Sequence, residues 1–355
     1  MNWRLALGLP GLLVAACGPS HGAEDVAEIV LAAPADTVLT PFGQVPLAAP
    51  MGGDRWLVVA PDWDQAVIAD FGTGGTTPLG AGPGRDYQRP VSVFASGDSL
   101  YLADWGMRRL TTWDRAGRLG RSAPPPEALR GIFPAARDGA GQFYFEAPLS
   151  GGPDGRGLMD SAPVLRSDAR MERFDTVAWL GPPDVLEVVR EGRSRLERTV
   201  FGGRDRWGVM PDGSLWVARV ERSRVEWTDP SGATRRGPSL PDPVYEVTEF
   251  DREAFYAQFP PDLRSTAEGL PFALVKPPFE GAFTGPDRLV WLEKSRAGAD
   301  SVRRVHAVGA DGNLVRRLVV PTRGRLIAVG DSALLIAEQW REGVRLLQVK
   351  VPREP

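Results

Sequence analysis

The chain of 355 residues has little of what most catalytic and metal sites are made from. It has one cysteine, Cys17, so no disulfide can close within one molecule. Its two histidines are His21 and His306. A histidine-bearing zinc centre therefore lacks donors, and a serine nucleophile lacks a spare imidazole to activate it. The only asparagines are Asn2 and Asn313, so a calcium cage would have to come from Asp, Glu and backbone oxygens. Of 42 basic residues only Lys276, Lys294 and Lys350 are lysines. An arginine bias of that kind follows from genomic base composition or from an anion-binding surface, and the sequence leaves both open. The net charge of −3 provides no basic footprint for nucleic acid.

What is abundant is turn and strand chemistry. The chain holds 41 glycines and 33 prolines, with 43% hydrophobic and 25% charged residues. That composition suits a globular protein of many short strands joined by tight turns. A phrase recurs: a turn, then an apolar run, as in G-D-S-L-Y-L-A and D-G-S-L-W-V-A. Its copies are anchored at Arg55, Ser99, Gln142, Ser214, Arg288 and Ser332, with spacings of 44, 43, 72, 74 and 44 residues. The two long intervals read as one period plus an insertion. A period of 40–50 residues with several strands predicts propeller blades. The expectation is an all-β, six-bladed β-propeller of four-stranded antiparallel blades occupying residues 27–355. The last blade is one strand short, and residues 27–40 are expected to complete it, so that the chain ends clasp.

Ahead of Cys17 stand Arg4 and an apolar stretch at 5–16, too short to span a bilayer as a helix. The sequence V-A-A-C at 14–17 resembles the lipobox of bacterial lipoproteins. The resemblance implies a signal peptide at 1–16, a lipidated Cys17, and a small polar tether at 17–26 that holds His21. Gly18, where an Asp would signal retention, implies an outer-membrane address in the cell envelope.

The whole chain resembles the six-bladed propeller lipoproteins of GC-rich bacteria, within the NHL and TolB-like propellers. The matching pieces are W-G-V-M-P-D-G-S-L-W-V-A (207–218), P-V-Y-E-V-T-E-F-D (243–251) and R-L-I-A-V-G-D-S-A-L-L-I-A-E (325–338). The family implies a fold and an address but no agreed activity.

Insertions fall near 147–162, 180–203 and 241–277, and the last carries helical spacing over 250–259. Blade geometry puts all three on one face, where function usually sits, although loops also grow neutrally. The same face should hold Asp62, Trp63, Asp104, Trp105, Arg108, Glu338 and Trp340. These residues form either an acidic and aromatic binding rim or turns whose carboxylates accept N–H groups while the rings pack between blades. Arg109 and Arg341 stand beside them. The expected function is non-catalytic recognition of a protein, peptide or glycan by a membrane-anchored scaffold, with no cofactor, metal ligand or catalytic residue assigned. The alternative is a calcium-dependent propeller hydrolase or lyase, similar to the lactonases. His306, in V-R-R-V-H-A-V, is expected to be an ordinary strand residue.

Overall fold

A computed structural model describes residues 26–352 except 35, 45, 150, 151, 153 and 191. The signal segment, Cys17 and His21 lie outside the described residues.

Two N-terminal strands, β1 (Glu28–Val30) and β2 (Asp36–Thr40), precede the first blade. Blade one is β3 (Leu47–Gly52), β4 (Arg55–Ala60), β5 (Gln65–Asp70) and β6 (Gly75–Pro78). Blade two is β7 (Pro90–Ser96), β8 (Ser99–Asp104), β9 (Arg109–Asp114) and β10 (Leu119–Ala123). Blade three is β11 (Ala136–Arg137), β12 (Phe143–Glu146), β13 (Ala162–Ser167) and β14 (Phe174–Leu180). A separate hairpin, β15 (Val185–Arg190) and β16 (Arg193–Arg198), follows it. Blade four is β17 (Arg206–Val209), β18 (Leu215–Arg219), β19 (Arg224–Thr228) and β20 (Thr234–Arg236). Two short helices come next, α1 (Glu249–Tyr256) and α2 (Arg264–Glu268). Blade five is β21 (Phe279–Thr284), β22 (Val290–Lys294), β23 (Arg303–Val308) and β24 (Leu314–Val320). Blade six is β25 (Arg325–Val329), β26 (Ala333–Trp340) and β27 (Gly343–Lys350), completed by β2. The protein is a six-bladed β-propeller.

The second strand of each blade is an unbroken apolar run because both of its faces are covered. In β4, Trp56 and Val58 pack into the seam with blade six, while Leu57 and Val59 pack into the seam with blade two. The other seams follow suit. Tyr101 meets Phe143 between blades two and three, Val217 meets Val164 between three and four, Trp216 meets Leu292 between four and five, and Trp291 meets Leu334 between five and six. Burying both faces of a sheet this way removes large apolar areas from water at roughly 25 cal/mol per Å². Outer strands such as β6, β10 and β20 are mostly exposed and carry polar residues.

Ring closure divides the N-terminal segment. β2 pairs antiparallel with β27, from Asp36↔Gln348 to Thr40↔Val344, and supplies the outer strand of blade six. Residues 27–40 do not act as one strand, however. β1 joins blade five, parallel to β24, with Glu28 opposite Arg317. Leu31 is buried in the seam between blades five and six, and Pro34, which has no N–H to donate, falls in the crossing between the two strands.

Antiparallel order fixes the faces. Connections between blades and the turns between second and third strands share one face, here termed the upper face. Val26 packs against the core between blades four and five, and β1 runs parallel to β24 with Glu28 opposite Arg317, so it starts near the turn between the third and fourth strands of blade five. The described chain therefore enters at the lower face.

Candidate functional site

The three insertions belong to blades three to five and touch one another in sequence. Leu196 N–H of the β15–β16 hairpin donates to the Asp154 carbonyl of the first insertion at 3.1 Å. Val200 N–H donates to Pro271 O at 2.7 Å, Ala273 N–H donates back to Val200 O at 3.0 Å, and Arg190 reaches Gly269 O at 2.8 Å. Val200, Phe201, Phe255, Tyr256, Phe259 and Phe272 form a small core of their own beneath α1. Thr248 and Asp251 form a capping box that starts α1. The result is a roof over half of the upper face.

Two buried ion pairs fasten that roof. Lys276 Nζ lies 2.6 Å from Asp251 Oδ1 and donates to Arg296 O at 2.9 Å. Lys294 Nζ lies 2.5 Å from Asp242 Oδ1, which opens the third insertion. Burial alone would raise the Asp251 pKa, but hydrogen bonds from Lys276 and Thr248 hold it below the ordinary carboxylate value. Burial pushes the Lys294 ammonium down.

Below the roof three spaces meet. A cleft of about 1060 Å³ runs between the second and third insertions, with Arg219, Arg224, Glu226, Val244 and Val275 in its walls. A pocket of about 360 Å³ lies under α1, walled by Phe201, Phe255, Phe279, Arg206 and Arg325. The central channel, about 420 Å³, is lined by the innermost strands. Arg204 borders all three. Its neighbour Gly203 must be glycine, because a Cβ there would collide with Val220 and come within 2.9 Å of Pro277.

The channel mouth is charged. Glu293 is fully buried, takes the Leu326 N–H at 3.0 Å, and lies 3.2 Å from Arg303 and 3.6 Å from Arg325. Burial raises its pKa against the pull of those arginines. Glu280 is 3.1 Å from Arg303 and 3.8 Å from Arg325, and Glu146 is 3.8 Å from Arg204. Arg206 donates to the Glu280 backbone carbonyl at 3.0 Å and has no ion pair among the described residues. Burial, then repulsion from Arg204 and Arg325, pushes its pKa down to about 10.

The seven rim residues stand on the other half of this face, on blades six, one and two. Trp63, Trp105 and Trp340 are each about half exposed, at 48%, 47% and 48%, and no ring contact links them. Asp104 is fully buried and accepts N–H groups from Gln88, Arg89 and Met107 at 2.7, 2.9 and 3.2 Å. Asp62 is exposed beside Trp63. Arg108, in the left-handed region at φ 49°, lies over the Trp105 ring at 5.8 Å, and Phe133 meets that ring edge-on. Glu338 pairs with Arg345, which lies 4.6 Å over Trp340. Arg109 reaches Asp86 O at 2.7 Å, and Arg341 is exposed. His306 sits in β23, buried, with neither ring nitrogen hydrogen-bonded among the described residues.

Sequence reasoning missed Arg204, Arg206, Lys276, Glu280, Glu293 and Arg325. A signal existed. Arg206 and Arg325 each open the innermost strand of a blade, the position that faces the upper channel mouth.

No family model matches the chain, and no curated sequence does. Its fold is similar to several solved propellers. A calcium-binding regucalcin from Agrobacterium tumefaciens is 12% identical over 92% of this chain and 98% of its own, with a TM-score of 0.46. A gluconolactonase from Xanthomonas campestris is 14% identical over 87% and 88%, with a TM-score of 0.47. A streptogramin B lyase is 13% identical over 90% and 86%, with a TM-score of 0.43. At this distance the likeness is one of fold. It nonetheless corrects the expectation that the chain is not an enzyme. Similar propellers include a lactonase and a lyase, so the fold is no ground for a non-catalytic assignment. The scarcity of histidine argued only against histidine-dependent chemistry, and carboxylates such as Glu293 do not depend on it. Among the described residues no group of three or more His, Cys, Asp or Glu side chains is placed to hold a metal ion.

Proposed function

We propose that this propeller is an envelope receptor that takes a segment of a partner protein into the roofed cleft on its upper face. The observation that carries the reading is the assembly of three separate insertions into one roof over about 1060 Å³ of mixed charged and apolar lining. Neutral loop growth would leave each insertion to pack alone. Here each one hydrogen-bonds the next, the buried Lys276–Asp251 pair closes the third on itself, and Lys294–Asp242 ties it to blade five. Exposed apolar side chains at the cleft, Val244 at 76% and Val275 at 47%, provide the surface that a peptide would cover.

The direction of entry adds to this reading. The described chain begins at the lower face, where β1 starts alongside β24. A lipid on Cys17 would tether the propeller by that face, within about 30 Å for the nine residue steps from Cys17 to Val26, and turn the roof away from the membrane. The test uses the full chain as bait against detergent-solubilised envelope. One protein retained in stoichiometric amount, and lost when residues 249–268 are replaced by a short glycine–serine link, supports the reading. Retention of nothing by a folded bait overturns it.

A further inference from the structure

The pocket under α1 has a chemistry of its own. Its lining combines the aromatic Phe201, Phe255 and Phe279 with the cationic Arg204, Arg206 and Arg325 and a single carboxylate residue, Glu280. The cations are not matched. Glu280 and Glu293 are shared between Arg303 and Arg325, and Glu146 reaches Arg204 only at 3.8 Å. Arg206, half-buried, is left with a backbone carbonyl. Lys276, which also borders the pocket, is neutralised by Asp251. Arg204 and Arg325 repel the Arg206 guanidinium, while Glu146 and Glu293 attract it without a direct bond. Holding it in a partly dry site with no carboxylate partner in contact is unfavourable, and such arrangements concentrate where a ligand completes the charge balance.

We infer that this pocket binds a small organic carboxylate bearing an apolar group, with Arg206 and its neighbours on the carboxylate and the phenylalanines on the apolar part. The planar guanidinium fork matches a carboxylate in two parallel hydrogen bonds. A volume of about 360 Å³ admits one such molecule or the terminal residue of a peptide, and it joins the cleft at Arg204. A phosphate would leave the aromatic wall unused. The inference rests on the reading that the roofed face is the binding face, and it names the chemistry that face selects.

The test is calorimetric titration of the purified full-length protein in detergent with three probes: N-acetylphenylalanine, its neutral amide, and inorganic phosphate. The expected result is saturable binding of the carboxylate alone. Arg206→Gln should weaken it by about tenfold or more, the loss of one charge-assisted pair. The same substitution should leave the unliganded thermal midpoint unchanged or raised, because it relieves repulsion. The half-exposed Arg325→Gln is the second variant should Arg206→Gln fail to fold, and it should also weaken binding. Equal binding of acid and amide, equal binding of phosphate, no binding, or wild-type affinity in the folded variants overturns the inference. A protein that retains a partner through its roof but binds no carboxylate overturns this inference and spares the receptor reading. Carboxylate binding without any retained partner does the reverse.

Discussion

The ammonium of Lys276 sits 2.6 Å from the carboxylate of Asp251, and both are buried, so the closing end of the third insertion is clasped to the first turn of its own helix α1 by a charge pair largely shielded from water. The chain uses only three lysines, and each meets an aspartate: Lys276 with Asp251, Lys294 with Asp242, and Lys350 with Asp54. A compact ammonium fills these positions where a wide guanidinium would need more room. Removing one partner of such a pair strands the other. Lys276→Met is expected to destabilise the roof by about 3–5 kcal/mol. It should speed amide exchange across 249–268 while the blades keep their protection. Lys276→Met combined with Asp251→Asn should recover part of the loss, since an Asn oxygen at this N3 position still accepts the Thr248 N–H and leaves no lone charge.

His306 makes stability depend on pH. Burial, then the nearby charges of Lys294, Arg317 and Arg304, pushes its pKa down to about 3. The unfolded chain takes up that proton near pH 6.5, so between these values the unfolded state binds more protons and stability rises with pH. Acidifying from pH 6.5 to pH 4 should cost roughly 3 kcal/mol through this residue. His306→Leu should flatten that slope in urea titrations at each pH. An unchanged slope would show that His306 is hydrated in solution.

The depressed Asp251 pKa acts in a lower window. Its stabilisation is complete above the unfolded value of about 3.9 and is lost as pH falls through the lower folded value. Roof opening, followed by limited proteolysis within 241–277, should therefore begin below about pH 4 and not near neutrality.

Trp56 of blade one, 1% exposed, donates its indole N–H to Gln348 of blade six at 2.7 Å, and Gln348 donates to Asp54 at 2.6 Å. Gln348→Leu leaves the indole N–H unpaired and should cost about 1–3 kcal/mol. Trp56→Ala, which also empties the seam, should cost about 3–5 kcal/mol. Deleting residues 36–40 exposes the edge of β27 and should lower the thermal midpoint by many degrees. A midpoint equal to wild type would mean that the β2–β27 pairing contributes nothing.

Anchoring is tested at Cys17. Cys17→Ala should move the protein from the membrane fraction to the soluble fraction without changing its melting. If the substituted protein stays with the membrane after a salt wash, the lipid reading fails.

The propeller was legible because its signal is local and repeated. Each blade restates an apolar second strand and a glycine-bearing turn, and any chain built that way must bury both sheet faces by packing blades around an axis. The missing strand of blade six could be inferred from the count alone. Its split could not: β1 went to blade five because Leu31 finds its place in the seam between five and six. The rim tryptophans were legible as positions, but their half exposure depends on what neighbouring loops leave uncovered. Least legible was the charged pocket. Arg204, Arg206, Lys276, Glu280 and Arg325 come from three blades, one insertion and the residue just past another, and in the sequence they look like the solvated charges around them. Sequence by itself determined the repeat, the ring and the face on which insertions emerge, since these follow from strand periodicity and antiparallel order. Only the tertiary structure decided which of the many arginines meet at the channel mouth, which carboxylates are already taken, and which guanidinium there is left without a carboxylate partner. Charge matching acts through space at a few ångströms, and separation along the chain carries almost none of that information.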